Sequence, residues 1–290
     1  MRVLVTGAGG FLGGHIARRL AEAGFEVIAV TRTSPIEPPD SAAAARRFHT
    51  VIADLARGAL LPHTEVVVHA AATSAWTDIS VDQMLTDNVV ATRALVRHAL
   101  AAKASAFVFF SSTSAFGAIR APVLAETEPC VNVDAYGMTK LLGEKLLAES
   151  AGSLPSLSIR LPAVIGRGSK RNWPSECLRK LKAGQLLEFF NPEAPFNNVV
   201  HERDIAALVT AALQQGLSGA DMVVASAAGQ TTIAEAVRVL AETAGSPSRV
   251  APQTRDRSAF LIDSGKAARL FGFAPMDVLA ALRQFVGDNA

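Results

Sequence analysis

The sequence predicts an α/β protein: a doubly wound parallel sheet with a smaller, interleaved C-terminal region. Three observations predict it. Short β-branched runs alternate with alanine- and leucine-rich segments over the first two-thirds of the chain. Most of those runs are nearly continuously apolar, the pattern of strands buried on both faces by covering helices. A glycine-rich turn joins the first run to the first periodic segment. Strand–helix–strand repetition with right-handed crossovers produces such a sheet.

In chain order, the predicted strands are Arg2–Thr6, Glu26–Thr31, Arg47–Ile52, Val66–His69, Ala106–Ser111 and Ser156–Leu161. Between them, Leu12–Ala23, Val81–Ala102 and Tyr136–Glu149 carry helical periodicity. Thr33–Ala45 is proline-rich, then alanine-rich, and reads as a surface loop leading into a short helix. Past Gly166 the pattern loosens. Arg167–Pro174 is basic and polar, Ser175–Ala183 is helical and "FFNPEAPFNN" reads as loop. Asp204–Gln215, Ile233–Ala244 and Met276–Val286 are further helices, and Asp221–Ala225 is a strand. The expected division is a sheet domain over 1–165, with about 196–226 returning to it, and a substrate-facing region over 166–290.

Composition excludes several classes. Of 290 residues, 50% are hydrophobic and 19% charged, too apolar for a disordered chain. The 28 basic side chains face 26 acidic ones, which argues against nucleic-acid binding through phosphate contacts. Cys130 and Cys177 cannot build a disulfide framework and fit a reducing compartment. No apolar run approaches the roughly 20 residues that span a bilayer. The start, "MRVLVTG", enters a strand directly, so the expected location is cytoplasmic. The histidines show no HExxH or close paired spacing, and no catalytic metal is expected.

The turn "VLVTGAGGFLGG" sets Gly7, Gly10 and Gly13 at intervals of three, after a strand and before a helix. Gly7 lets the chain turn tightly, Gly10 lets backbone approach a pyrophosphate, and Gly13 lets helix and strand pack closely. The helix start at Gly10, Phe11 and Leu12 then aims free N–H groups and a positive dipole end at the phosphates. At the end of the second strand an NAD-preferring fold usually places an acid for the ribose 2′-hydroxyl. Here "VIAVTRT" puts Thr31 there, followed by Arg32. A guanidinium pairs with a 2′-phosphate through two hydrogen bonds, so NADP is favoured over NAD. The alternative is a solvated surface arginine. Asp54, followed by Leu55 in "IADL", ends the third strand and serves either the adenine amino group or as a helix N-cap.

Tyr136 is the single tyrosine, and Lys140 follows four positions on, one helical turn away. A phenol of pKa about 10 is a poor base at neutral pH. An ammonium about 4 Å away interacts with a phenolate by about 4 kcal/mol at an effective dielectric of about 20, worth up to about 3 pKa units. The pair then shuttles a proton to or from a hydroxyl. Spacing alone favours a tyrosine packed beside a snorkelling lysine, because such pairs are common on helices.

Together these residues resemble the extended short-chain dehydrogenase/reductase family, which includes NAD(P)-dependent sugar-nucleotide epimerases, dehydratases and reductases. "TGAGGFLGG" is similar to its TGxxGxxG and "YGMTK" to its YxxxK. "VVVHAAATSAW" resembles the strand whose small residues, Ala70, Ala71 and Ala72, line the cofactor. Asn88 in "DNVVATRAL" matches the family's helical asparagine, and "FVFFSSTSAFG" its catalytic strand end, with that role on Ser112. "RLPAVIGRG", "FNNVVHERDIAAL" and "DSGKAARLFGFAP" resemble later family segments. The resemblance implies a Rossmann-type fold in which Ser112 holds the substrate oxygen and Tyr136 transfers its proton. Lys140 would lower the tyrosine pKa and bind the nicotinamide ribose, and Asn88 would support the site. It also suggests a homodimer through Val81–Ala102 and Tyr136–Glu149.

Departures from the family pattern bear on substrate. Ala163 stands where sugar-nucleotide epimerases often have an asparagine near the diphosphate, and Asn197 where they often have an arginine. Arg167, Lys170 and Arg171 form a basic cluster that suits a phosphate or carboxylate, or is simply a solvated loop. Trp76, Trp173 and Phe196 suit stacking on a ring or ordinary packing. Thr113 and Ser114 follow Ser112 in place of the dehydratases' acidic pair, so dehydration is disfavoured. The expected substrate contacts are Ser112, Thr113, Trp76, Arg167, Arg171 and Asn197. The expected activity is hydride transfer at a hydroxyl or carbonyl of a nucleotide sugar. The alternatives are an NADPH-dependent reductase of a smaller ketone or aldehyde, and a non-catalytic dinucleotide sensor.

Overall fold

A computed structural model describes residues 1–74, 78–255 and 259–290. Its first elements are β1 (Arg2–Thr6), α1 (Phe11–Glu22), β2 (Glu26–Thr31), α2 (Ala42–Ala45), β3 (Phe48–Ile52), β4 (Val66–His69), α3 (Val81–Leu85), α4 (Ala91–Ala101), β5 (Ala106–Ser112) and α5 (Ala135–Glu149). Seven strands form one sheet in the order Ala220–Val224, Ser156–Leu161, β5, β4, β1, β2, β3. β3, β2, β1, β4 and β5 run parallel, and Val3 of β1 pairs with Val27 on one side and Val66 on the other. Val3, Leu4 and Val5 are fully buried, which is why β1 reads as an unbroken apolar run. From β1 the chain winds to β2 and β3 in one direction and to β4 and β5 in the other. The loops after β1 and β4 therefore part, and a crevice opens at the carboxyl ends of the strands.

The chain divides into two compact units. The sheet unit comprises Met1–Gly117, Cys130–Arg160 and Ala206–Val223; the other comprises Ala118–Pro129, Leu161–Ile205 and Val224–Ala290. The boundary expected at 165 thus falls at Arg160, and the returning segment is shorter than 196–226. In the sheet unit, Leu4, Ile28, Val67, Leu95, Phe107 and Leu147 share one core. In the second, Leu181, Val199, Val237, Leu240, Leu282 and Phe285 share another.

Two segments differ from expectation. The helix read over Val81–Ala102 is interrupted by a π-helical turn at Thr86–Val90. Asp87 and Asn88 within it hydrogen-bond Thr73 in the loop after β4. The "FFNPEAPFNN" segment contains strands at Leu187–Phe190 and Pro195–Phe196. Their partners, Val250–Gln253 and Thr231–Thr232, are distant in sequence, so no short window reveals the pairing.

The second unit ends in an ion-paired knot. His201, Glu202 and Asp288 bring donor atoms within 4.8 Å of one another. His201 Nε2 meets Asp288 at 2.9 Å, the Arg203 N–H donates to His201 Nδ1 at 3.2 Å, and the Arg203 guanidinium reaches both carboxylates. A side-chain cation already stands among the acids, and the knot anchors the C-terminal helix Val278–Asp288. Among the described residues, no helix is long and apolar enough to cross a membrane.

Candidate active site

The crevice is a cleft of about 490 Å³ lined by the ends of β1 to β4, including Gly7, Gly10, Thr31, Arg32, Asp54, Leu55, Ala70, Ala71 and Ala72. Its floor is built by close backbone approach. Gly7 has φ of +67°, and a Cβ there would lie 2.6 Å from the Ala71 nitrogen. A Cβ at Gly13 would overlap the Gly7 carbonyl. Gly10 precedes α1 and no side chain caps the helix, so the N–H groups of Phe11 and Leu12 open its N-terminus. Thr31 Oγ1, in a residue lining the same cleft, is buried without a hydrogen-bond partner. A glycine-built cradle, an uncapped helix start and an orphaned hydroxyl fit a dinucleotide.

Asp54 takes the capping alternative: its carboxylate accepts from Ala56 N–H at 3.1 Å and starts a short 3₁₀ turn over Leu55–Arg57 while still lining the cleft. Arg32 is not solvated alone. Its Nη1 lies 3.5 and 3.4 Å from the two oxygens of Asp87, another cleft residue. Asp87 also accepts from Thr73 Oγ1 at 2.6 Å and Gln83 Nε2 at 2.9 Å. Burial raises its pKa, but those two hydrogen bonds and the Arg32 charge outweigh burial and hold the carboxyl below its ordinary range.

Consecutive residues of the π turn share one target. Asp87 takes the Thr73 hydroxyl, while Asn88 takes the Thr73 backbone, accepting its N–H at 2.7 Å and donating to its carbonyl at 2.9 Å. Asn88 is 3% exposed and also donates to Thr139 Oγ1 at 3.0 Å, which ties the loop after β4 to α5.

Behind the loop lies a buried histidine with a determinable tautomer. Thr92 Oγ1 donates to the Asn88 carbonyl. Its oxygen therefore accepts from His69 Nε2–H at 2.9 Å, leaving Nδ1 to accept from Thr6 Oγ1 at 2.7 Å. Thr6 in turn accepts from Ala71 N–H at 3.3 Å. Burial, then the Lys140 charge, lowers the His69 pKa to about 3, so the ring is neutral.

Ser112 ends β5 and accepts from Ser114 N–H at 3.1 Å, starting the 3₁₀ turn at Thr113–Phe116. Asp134 caps α5 by accepting from Gly137 N–H at 2.7 Å. A Cβ at Gly137 would strike the Ser114 carbonyl, so the first turn of α5 lies directly on the turn after Ser112. Ser112 is thereby brought near enough to Tyr136 to act on its phenol. Lys140 is 4% exposed; its Nζ donates to the Phe110 carbonyl at 2.9 Å and lies 5.7 Å from the Tyr136 ring centroid. One turn further, Glu144 is held by Arg160 at 2.9 and 2.7 Å and by the Ser111 hydroxyl.

The expected depression of the phenol by Lys140 does not occur. Burial, then the Asp134 carboxylate, pushes Tyr136 up to about 12 against the opposing Ser112 hydrogen bond. The lysine is aimed at a carbonyl, not at the phenol, and burial lowers its own pKa to about 8 despite Glu144.

The remaining predicted substrate residues fall in the second unit or outside the described residues. Trp76 lies outside the described residues. Arg167 and Arg171 are exposed in the second unit, Arg171 with φ of +60°. Asn197 is buried, and its amide is engaged with the main chain of Ile262, donating at 2.9 Å and accepting at 2.8 Å. Its contact is structural: it ties down the strand Leu261–Ile262. Trp173 and Phe196 pack edge to face, with centroids 5.2 Å apart, beside and within the second core. Sequence reading missed Asp87, Thr73 and His69. Asp87 directly precedes Asn88 and Thr73 directly follows the alanine run, so adjacency to motifs was the available signal.

A parallel sheet with a glycine-floored crevice at its switch point defines the class: a dinucleotide-binding α/β protein. The NAD dependent epimerase/dehydratase family model matches residues 3–225, and the chain belongs to that family. The chain is 32% identical over 198 residues to the dTDP-6-deoxy-L-talose 4-dehydrogenase (NAD(P)(+)) of Kitasatospora kifunensis, covering 64% of this chain but only 58% of that protein. It is 27% identical to the dTDP-4-dehydro-6-deoxy-D-allose reductase of a Streptomyces species, covering 97% and 94% of the two chains. The fold is shared with the UDP-glucuronic acid 4-epimerase from Bacillus cereus in complex with NAD, with a TM-score of 0.84 at 20% identity over 100% and 95% of the chains.

Proposed function

We propose that this chain is an NAD(P)-dependent oxidoreductase or epimerase acting at a hydroxyl or carbonyl of a nucleotide-sugar-like substrate through Ser112, Tyr136 and Lys140. The observation that carries the reading is the close seating of the first turn of α5, which holds Tyr136, on the turn that starts at Ser112, with Lys140 buried one helical turn on and 5.7 Å from the Tyr136 ring centroid. The bound dinucleotide would supply or accept the hydride. The chain's residues do the rest. Ser112 holds the substrate oxygen, and Tyr136 Oη, its other neighbour, gives or takes the proton. Lys140 keeps a positive charge nearby and turns toward the ribose hydroxyls. Asn88 positions α5 against the loop after β4. A phenol raised to about 12 is protonated at neutral pH, so in a reduction it stands ready as the proton donor. Thr31 and Arg32, in place of an acid, favour NADPH over NADH.

Sugar nucleotides lead because a sugar-nucleotide dehydrogenase and a reductase are among the relatives matched. A smaller ketone or aldehyde is the second reading, favoured by Ala163 and by the engaged amide of Asn197, which leave two diphosphate contacts unsupplied. Incubation with NADPH and a panel of dTDP- and UDP-linked keto sugars and small ketones decides. Stoichiometric loss of absorbance at 340 nm supports a reductase. Interconversion of sugars with no net absorbance change supports an epimerase. Absence of turnover across the panel, despite dinucleotide binding, leaves the sensor. We further propose a homodimer through α3 and α5. These helices pack side by side, and Val81, Leu85, Met138 and Leu142 are 56%, 39%, 48% and 40% exposed. Sedimentation of a monomer at micromolar concentration would overturn it.

A further inference from the structure

We propose that Asp87 sets the balance between the two nicotinamide dinucleotides by competing with the 2′-phosphate for Arg32. The proposal rests on the cofactor reading above and adds a residue to it.

The ion pair is unequal. Asp87 is 13% exposed and fixed by Thr73 and Gln83, whereas Arg32 is 61% exposed and reaches it only at 3.4 Å. The carboxylate is a rigid post, and the guanidinium is the partner that can leave. Both side chains line the same cleft as Thr31, whose buried hydroxyl has no partner. A 2′-phosphate entering beside Thr31 must draw the guanidinium from Asp87 or bind while the pair persists. Either way the carboxylate opposes it, first by holding its counterion and second as a like charge. A dinucleotide with a 2′-hydroxyl carries no such penalty, because it has no charge for Arg32 to neutralise. The chain therefore has an arginine for the phosphate and a built-in brake on its use, an arrangement that admits both cofactors.

Asp87→Asn removes the charge and keeps an acceptor oxygen for Thr73. The measurement is the ratio of dissociation constants for NADH and NADPH, by nucleotide fluorescence at low salt, in wild type, Asp87→Asn, Arg32→Ala and the double variant. Asp87→Asn is expected to shift the ratio about three- to fivefold toward NADPH, the scale of one partly exposed charge pair. In the Arg32→Ala background the same substitution is expected to shift the ratio less than about twofold, because the competition has lost its object. An unchanged ratio in Asp87→Asn, or a shift of equal size without Arg32, overturns the proposal. If Arg32→Ala alone leaves the ratio unchanged, the cofactor reading of Arg32 fails with it; if Arg32→Ala lowers NADPH preference while Asp87→Asn does nothing, only the role of Asp87 falls.

Discussion

The two ends of the sheet unit's site are built from different material. The glycine-turn end is backbone: Gly7, Gly10 and Gly13 are there for what a Cβ would strike, and its charged groups, Arg32 and Asp54, sit at the cleft surface. The Tyr136 end is side chain, with Lys140, Asn88 and His69 all buried polar groups. Water screens the first and is kept from the second. Charges at the first end trade in small increments, while at the second burial moves His69 to about 3, Lys140 to about 8 and Tyr136 to about 12.

Substitutions can break this contrast in order of expected size. Tyr136→Phe is expected to lower turnover by about 10²–10⁴-fold, the range for losing a general acid, while NADPH binding measured by fluorescence stays close to wild type. Turnover surviving at wild-type level would remove the phenol from the reaction. Lys140→Met is expected to abolish turnover as well, yet to raise the melting temperature at pH 7. Between about 8 and 10.5 the unfolded chain holds the lysine proton and the folded chain does not. Below that window the folded state carries a buried charge at a cost of about 3 kcal/mol, which a methionine relieves. A lower melting temperature would mean that the Phe110 hydrogen bond outweighs desolvation.

Asn88→Ala is expected to destabilise the fold by about 1–3 kcal/mol, since the Thr73 N–H loses its buried partner; chemical denaturation reads this directly. His69 makes a pH prediction. Its folded pKa is depressed from 6.5 to about 3, so the unfolded chain takes up a proton first and stability is lost as pH falls from about 6.5 toward 3. His69→Gln should flatten that limb of the stability curve, and an unchanged slope would place the acid sensitivity elsewhere. The smallest effect is expected at the screened end. Arg57→Ala breaks an exposed 3.5 Å pair with Asp54 and should change stability by less than about 0.5 kcal/mol.

Much of the sheet unit was legible because its signals are local. β1, β2, β4 and the strand Ser156–Leu161 have the boundaries read from their apolar runs, and α1 and α5 shift by one residue. The glycine turn was legible for the same reason: each glycine answers to backbone a few residues or one strand away. The segment Leu187–Phe196 was not, since its partners lie beyond any local window. Asn197 was misread because an exposed and a spent amide look alike in sequence; only the main chain of Ile262 distinguishes them.

By itself the sequence determined most of the sheet's strands, the glycine cradle and the helical pairing of Tyr136 with Lys140, since periodicity and steric need are written into neighbours. Tertiary structure alone decided their ionisation and their partners. Burial raised the phenol that the lysine was expected to lower, Asp87 took the arginine that was read as a 2′-phosphate partner, and Asp87 and Asn88 both met one threonine. Desolvation and long-range hydrogen bonds depend on which atoms surround a group in space, and no window of residues contains that information.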